Sequence, residues 1–211
     1  MRDPRKATKR QRDLWEKSAP QYDSAMERLE RGILAGSREW LGARARGRVL
    51  EVAVGTGRNL PFYPRESAVT GLDLSPSMLD LARTRAAELG MPVELVEGDA
   101  ERLPFPDASF DTVVCALGLC SIPRPAVAIG EMARVLASGG SLLLLDHVGS
   151  TWPPVFAAQW LVERVTIPLS GEHFTRRQLD LVRAAGLEIA EQERLKAGTI
   201  ERLRALRPAE R

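Results

Sequence analysis

The chain has 211 residues, 44% hydrophobic and 27% charged, with a formal net charge of +2. That is chain enough for one full core and too little for cores to divide, so a single domain is expected, with residues 1–46 as a helical cap and 47–211 as the core. The longest aliphatic run, Leu142 to Leu145, is too short to cross a bilayer, and no charged-then-apolar leader with a cleavage site opens the chain, so the cytoplasm is the expected compartment.

In chain order, residues 5–18 and 23–44 read as two helices, with Leu14, Trp15, Met26, Leu29, Ile33 and Leu34 at helical spacing. Residues 1–48 hold 13 Lys/Arg against 7 Asp/Glu. A basic helix with an apolar stripe has the form of an interfacial anchor, so peripheral membrane contact through residues 1–34 is an expectation. Nothing suggests nucleic acid: no basic groove interleaved with aromatics is visible.

A strand near 48–53 runs into Val54-Gly55-Thr56-Gly57, with a helix expected to open near Arg58 and Asn59. Glycines there let backbone amides approach a ligand, and a helix start offers positive potential to an anion. The dinucleotide pattern needs a third glycine where Leu60 stands, so a ligand with a single carboxylate fits better than a diphosphate. A second strand near 68–73 ends in Asp73, and Ser75-Pro76 caps a helix over 76–89 that Gly90 stops. A third strand near 93–97 precedes Asp99, and strands near 110–116 and 140–146 flank a helix over 124–136. The tail reads as a helix near 175–185 and strands near 187–194 and 198–206. Strand and helix alternate, which implies a parallel sheet covered on both faces.

Glu51, Asp73 and Asp99 stand 22 and 26 positions apart, one strand and crossover helix each time. Acids at successive strand ends suit a nucleoside-bearing ligand: Glu51 toward an ammonium group, Asp73 toward ribose hydroxyls. Cys115 and Cys120, five apart, fit neither a zinc knuckle nor a C-x-x-C pair, so no metal is expected. Trp152 to Pro168 concentrates large apolar groups and reads as a greasy lid over an acceptor with an apolar body.

The runs Glu51-Val-Ala-Val-Gly-Thr-Gly57, Val69-Thr-Gly-Leu-Asp73-Leu-Ser, Gly98-Asp99-Ala-Glu-Arg-Leu-Pro-Phe, Ser109-Phe-Asp111-Thr-Val-Val and Arg134-Val-Leu-Ala-Ser-Gly-Gly140 resemble the successive motifs of class I S-adenosylmethionine (SAM) dependent methyltransferases. The likeness covers roughly residues 14 to 207 and is nearest to the group holding quinone C-, phospholipid N- and thiol methyltransferases. It implies a Rossmann-like α/β fold: a seven-stranded, mostly parallel sheet with an antiparallel C-terminal hairpin and an N-terminal helical cap. It also implies SAM as cofactor, S-adenosylhomocysteine as product, and Tyr22, Glu51, Ala53, Gly55, Thr56, Gly57, Asn59, Asp73, Leu74, Met78, Asp99, Ala100, Ala116 and Leu117 as its contacts. Ala53 departs from the family's glycine, which implies a slight narrowing near the cofactor's amino acid end. Ala19-Pro-Gln-Tyr22-Asp23 resembles a segment that folds over the cofactor, and Tyr22 and His147 are the candidate proton acceptors. The acceptor expected is a small molecule or lipid, best a phospholipid amino head group; a small thiol and a quinone-like ring are alternatives. A non-catalytic nucleotide-binding scaffold is the alternative class.

Overall fold

The computed structural model describes residues 4–209. Helix α1 spans Pro4–Gly32 and α2 Ser37–Gly42; β1 is Arg48–Val52, β2 Ala68–Asp73, α3 Pro76–Glu88, β3 Val93–Glu97, β4 Phe110–Ala116, α4 Pro125–Val135 and β5 Leu136–His147. Helix α5 (Pro153–Ser170), α6 (Leu179–Ala184) and the strands β6 (Glu188–Leu195) and β7 (Ile200–Leu206) complete the chain.

The seven strands form one sheet in the order β3-β2-β1-β4-β5-β7-β6. The first five pair in parallel, and β7 lies antiparallel between β5 and β6. Chain direction across the sheet reverses between β1 and β4, the switch point at whose carboxyl edge ligands bind in such sheets.

Alternation along the strands sorts the core into two layers. Leu50, Val52, Val113, Leu142 and Leu144 pack toward Ala128, Ile129, Met132 and Val135 of α4. On the other face Val49, Val114, Leu143 and Leu145 pack with Leu34, Leu41, Ala45 and Tyr63. The central strands β1, β4 and β5 are largely buried on both faces and carry mostly apolar residues, which is why they are readable.

Three elements differ from expectation. The two helices expected over 5–18 and 23–44 are instead α1, which continues through Pro20 as far as Gly32, and the short α2. Proline removes one helical amide there, while the Ser18 hydroxyl bonds back to the Leu14 and Trp15 carbonyls. The helix expected at Arg58–Asn59 is only a 3-10 turn, Leu60–Phe62, with Pro61 in it. The segment read as a lid is the 18-residue helix α5, which starts on Pro153-Pro154, where prolines fit because first-turn amides have no helical partner. The side chain of Leu29 lies outside the described residues.

Candidate active site at the switch point

A cavity opens at the carboxyl edge of β1, β2 and β4. Tyr22, Ala53, Gly55, Asp73, Leu74, Met78, Asp99, Ala100, Ala116 and Leu117 line it, so ten of the expected contact residues meet there. Thr8, Gln11 and Trp15 of α1, with Leu72, Gly98, Gly118, Ser121, Ile122 and Pro123, complete the wall.

The backbone of the turn is shaped toward this space. Ala53 and Leu117 hold positive φ of 58° and 56°, a conformation costly for residues with a Cβ and common at functional sites. Gly55, at φ 55°, would carry a Cβ into open space, whereas a Cβ on Gly57 would meet Leu60 Cδ1 at 2.8 Å. Gly55 therefore faces the cavity and Gly57 faces the core.

Asp73 closes the turn. Its Oδ2 accepts the Gly55 amide at 2.8 Å and its Oδ1 the Ser75 amide at 2.9 Å. Burial pushes its carboxyl up and these amide bonds hold it partly down. Asp99 accepts the Glu101 amide on Oδ1 and the Thr8 hydroxyl, at 3.4 Å, on Oδ2.

Helix α1 roofs the cavity and is pinned at several points. The Glu16 carboxylate accepts from the hydroxyls of Ser75 and Ser77 at the start of α3. Asp23 accepts the Thr56 hydroxyl at 2.6 Å and pairs with Arg85 and Arg58, while Glu30 pairs with Arg38 and Arg58. Between these pins Trp15 and Tyr22 meet edge to face, ring centres 5.9 Å apart. The apolar side of α1 thus turns inward, which sequence reading took for a stripe open to a membrane.

Five expected residues do not line the cavity. Strand alternation sends Glu51 to the Val49 face, where it is 1% exposed and accepts from Asn59 Nδ2 at 2.6 Å and the Tyr63 hydroxyl at 2.8 Å. Burial pushes its carboxyl up to about 7. Asn59 is committed to Glu51 and to Arg38, Thr56 to Asp23, and Gly57 to packing. These four support the turn. His147, the fifth, sits at the end of β5 against Phe174, ring centres 5.2 Å apart. Burial holds its imidazole down to about 4, and its Nδ1 has no hydrogen-bond partner.

Of the two candidate bases, one lies in the cavity. Tyr22 is in the cavity, but burial raises its phenol far above neutrality. His147 is neutral but elsewhere. Next to it, Cys120, Asp146 and His147 bring thiol, carboxylate and imidazole atoms within 4.8 Å of one another. Sequence spacing missed this trio because its members meet across β4 and β5. Asp146 is engaged by the amides of Cys120 and His147, and burial pushes the Cys120 thiol well up.

Residues 50–144 match the family model described as a methyltransferase domain. The chain carries a class I, SAM-dependent methyltransferase domain. Phosphatidylethanolamine N-methyltransferase of Cereibacter sphaeroides is 44% identical over 120 residues, 56% of this chain and 59% of that protein. Demethylmenaquinone methyltransferase of Deinococcus radiodurans is 40% identical over 142 residues, 64% of this chain and 58% of that one. The chain thus spans less than two thirds of the length of these curated relatives. A solved SAM-dependent methyltransferase of Thermotoga maritima superposes with a TM-score of 0.71 at 22% identity, covering 92% of this chain and 99% of the other. The [4+2]-cyclase SpnF reaches 0.69 at 23% identity over 82% of this chain and 80% of its own. Such likeness speaks for the methyltransferase fold alone, since one fold hosts several chemistries.

Proposed function

We propose that the protein transfers the methyl group of SAM to a small or amphiphilic acceptor, best a phospholipid amino head group of the phosphatidylethanolamine type. The observation that carries the reading is the meeting of Ala53, Gly55, Asp73 and Asp99 with Trp15 and Tyr22 around one cavity at the switch point. The groups fit SAM chemically. Asp73 has lone pairs left for ribose hydroxyls after its two amide bonds, and Asp99 suits the amino group of the base. The open backbone at Gly55 suits the amino acid end. The aromatic pair offers π faces to a cation. When bound, SAM supplies an already activated methyl group.

The chain's own residues then have three tasks: holding the acceptor in line, excluding water and stabilising positive charge. Helix α1 excludes water over the roof. Among the described lining residues are acids and aromatics but no Lys, Arg or His, which favours an acceptor that presents an amine, and keeps any anion outside the cavity, over one that presents an anion to it. With Tyr22 held protonated and His147 outside the cavity, an amine would arrive at the site already neutral.

The phosphatidylethanolamine relative supports this acceptor. The demethylmenaquinone relative and the apolar Met78, Leu117 and Ile122 of the wall favour C-methylation of a quinone-like ring as the second reading. The test is to supply SAM with phosphatidylethanolamine in detergent micelles, a demethylmenaquinol or a small thiol, and measure S-adenosylhomocysteine. Formation with the phospholipid alone supports the first reading. Formation only with the quinol replaces it with the second, and no product with any acceptor counts against transferase activity.

A further inference from the structure

Helix α5 leaves an apolar face open to solvent. A surface helix ordinarily turns its apolar stripe to the core and its polar side to water. Here the inward side carries half-buried Val155, Phe156 and Ile167 together with bonded polar groups. Gln159 Nε2 donates to the carbonyls of Val148 and Phe174, and its Oε1 accepts the Ser150 amide. Glu163, buried, accepts from the Thr175 amide and hydroxyl at 2.6 and 2.8 Å, and the Thr166 hydroxyl donates to the Glu172 carbonyl. Outward stand Trp160, Leu161, Val162, Val165 and Leu169, between 49% and 68% exposed. Four of them fall at i, i+1, i+4 and i+8 on one helix face. An apolar patch of this kind signals an apolar partner.

The surroundings say which one. The Arg10 guanidinium donates to the carbonyls of Ile167 and Pro168, the latter at 2.6 Å, which docks the start of α1 against the end of α5. Residues 5–12 contain five Lys/Arg and no acid. Arg5, Lys9, Arg12 and Arg124 line an open groove on this stretch together with Asp99, Arg12 being paired with Glu97 and Arg124 with Glu101. On α5 itself, Arg164 stacks on Trp160, 3.9 Å from the ring centre, and the single acid, Glu163, is turned inward. The outer face therefore offers aliphatic, indole and cationic groups. Two copies meeting through this face would bring cation to cation. An anionic lipid surface satisfies both parts at once, because bilayer interfaces favour Trp and attract Lys and Arg.

We propose that α5, with the basic first turns of α1, seats the protein on an anionic bilayer, α5 lying in the surface plane with Leu161, Val165 and Leu169 immersed. This deepens the phospholipid reading above by naming the surface from which the acceptor would come, but it rests on the faces of α5 and not on the cavity.

The test is flotation of the intact chain, without SAM, on phosphatidylcholine vesicles with and without about one third phosphatidylglycerol. Wild type should float with the anionic vesicles only, and Leu161→Glu/Leu169→Glu should lower the bound fraction at least tenfold while S-adenosylhomocysteine affinity stays unchanged. Should that variant misfold, brominated lipid in the anionic vesicles gives a second measurement. It should quench wild-type tryptophan emission, and quench Trp160→Phe markedly less. Wild type that stays unbound, a double variant that floats equally well, or a stable dimer that the same substitutions dissolve would overturn the proposal. Methyl transfer in detergent micelles needs no bilayer, so it separates failure of this proposal from failure of the acceptor reading.

Discussion

The Asp73 carboxylate accepts the Gly55 amide at 2.8 Å, so the acid ending β2 clamps the glycine turn that leaves β1. One residue thereby fixes the turn and lines the cavity the turn helps to form. The two glycines of that turn should consequently respond differently to a methyl group. Gly55→Ala costs about 1 kcal/mol for its left-handed backbone, with no clash, yet puts the methyl where the ligand lies. We expect SAM affinity to fall at least tenfold with little change in thermal midpoint. Gly57→Ala presses on Leu60 Cδ1 at 2.8 Å and on the Ala82 backbone at 3.3 Å, and should mainly destabilise the fold. Calorimetric titration paired with thermal melts distinguishes the two.

Ala53 holds φ 58° beside the cavity. Glycine relieves that strain and gives back part of the gain as unfolded-chain entropy, so Ala53→Gly should stabilise by about 0.5–1 kcal/mol. Urea denaturation reads this as a higher midpoint at unchanged slope.

Glu51 sets a pH dependence. Its carboxyl is raised in the folded chain to about 7 by burial, above its ordinary value of 4.5. The folded state then holds a proton that the unfolded state releases. Stability is greatest below pH 4.5 and falls as pH rises through 7, by up to about 3 kcal/mol from this group. Glu51→Gln should flatten that part of the profile. Denaturation midpoints of both proteins between pH 5 and 8 check the sign, and parallel profiles would refute it.

Much of this was legible in the sequence where burial is two-sided. Strand β2 lies at 68–73 as its pattern predicts, and the acid at its end lines the cavity. Glu51 misled because strand-end position alone does not say which face a side chain takes; alternation sends it to Tyr63. The break expected between residues 18 and 23 is absent, and α1 runs through Pro20 held by tertiary pins at Glu16 and Asp23. Helix α5 was unreadable as a helix because apolar residues occupy most of its positions and prolines stand at 153, 154 and 168, so no clean helical stripe marks it. Thr8, Gln11 and Trp15 entered the cavity wall unannounced, since only the packing of α1 brings them there.

The pin at Asp23 should control exchange over the cavity. Asp23→Ala removes its bonds to Thr56 and Arg85 while leaving Tyr22 in place. Because these pairs are partly exposed, the stability loss should stay near ~1 kcal/mol. The SAM KM should rise several-fold with kcat little changed, as judged by steady-state rates of S-adenosylhomocysteine formation.

The central claim is that the rim holding Asp73 and Gly55 binds a sulfur nucleoside. Titrating S-adenosylhomocysteine into the intact chain by calorimetry tests it most directly. The account predicts one site of micromolar affinity, lost in Asp73→Ala with the fold retained. Absence of binding to the folded wild type, or undiminished binding to Asp73→Ala, would contradict it.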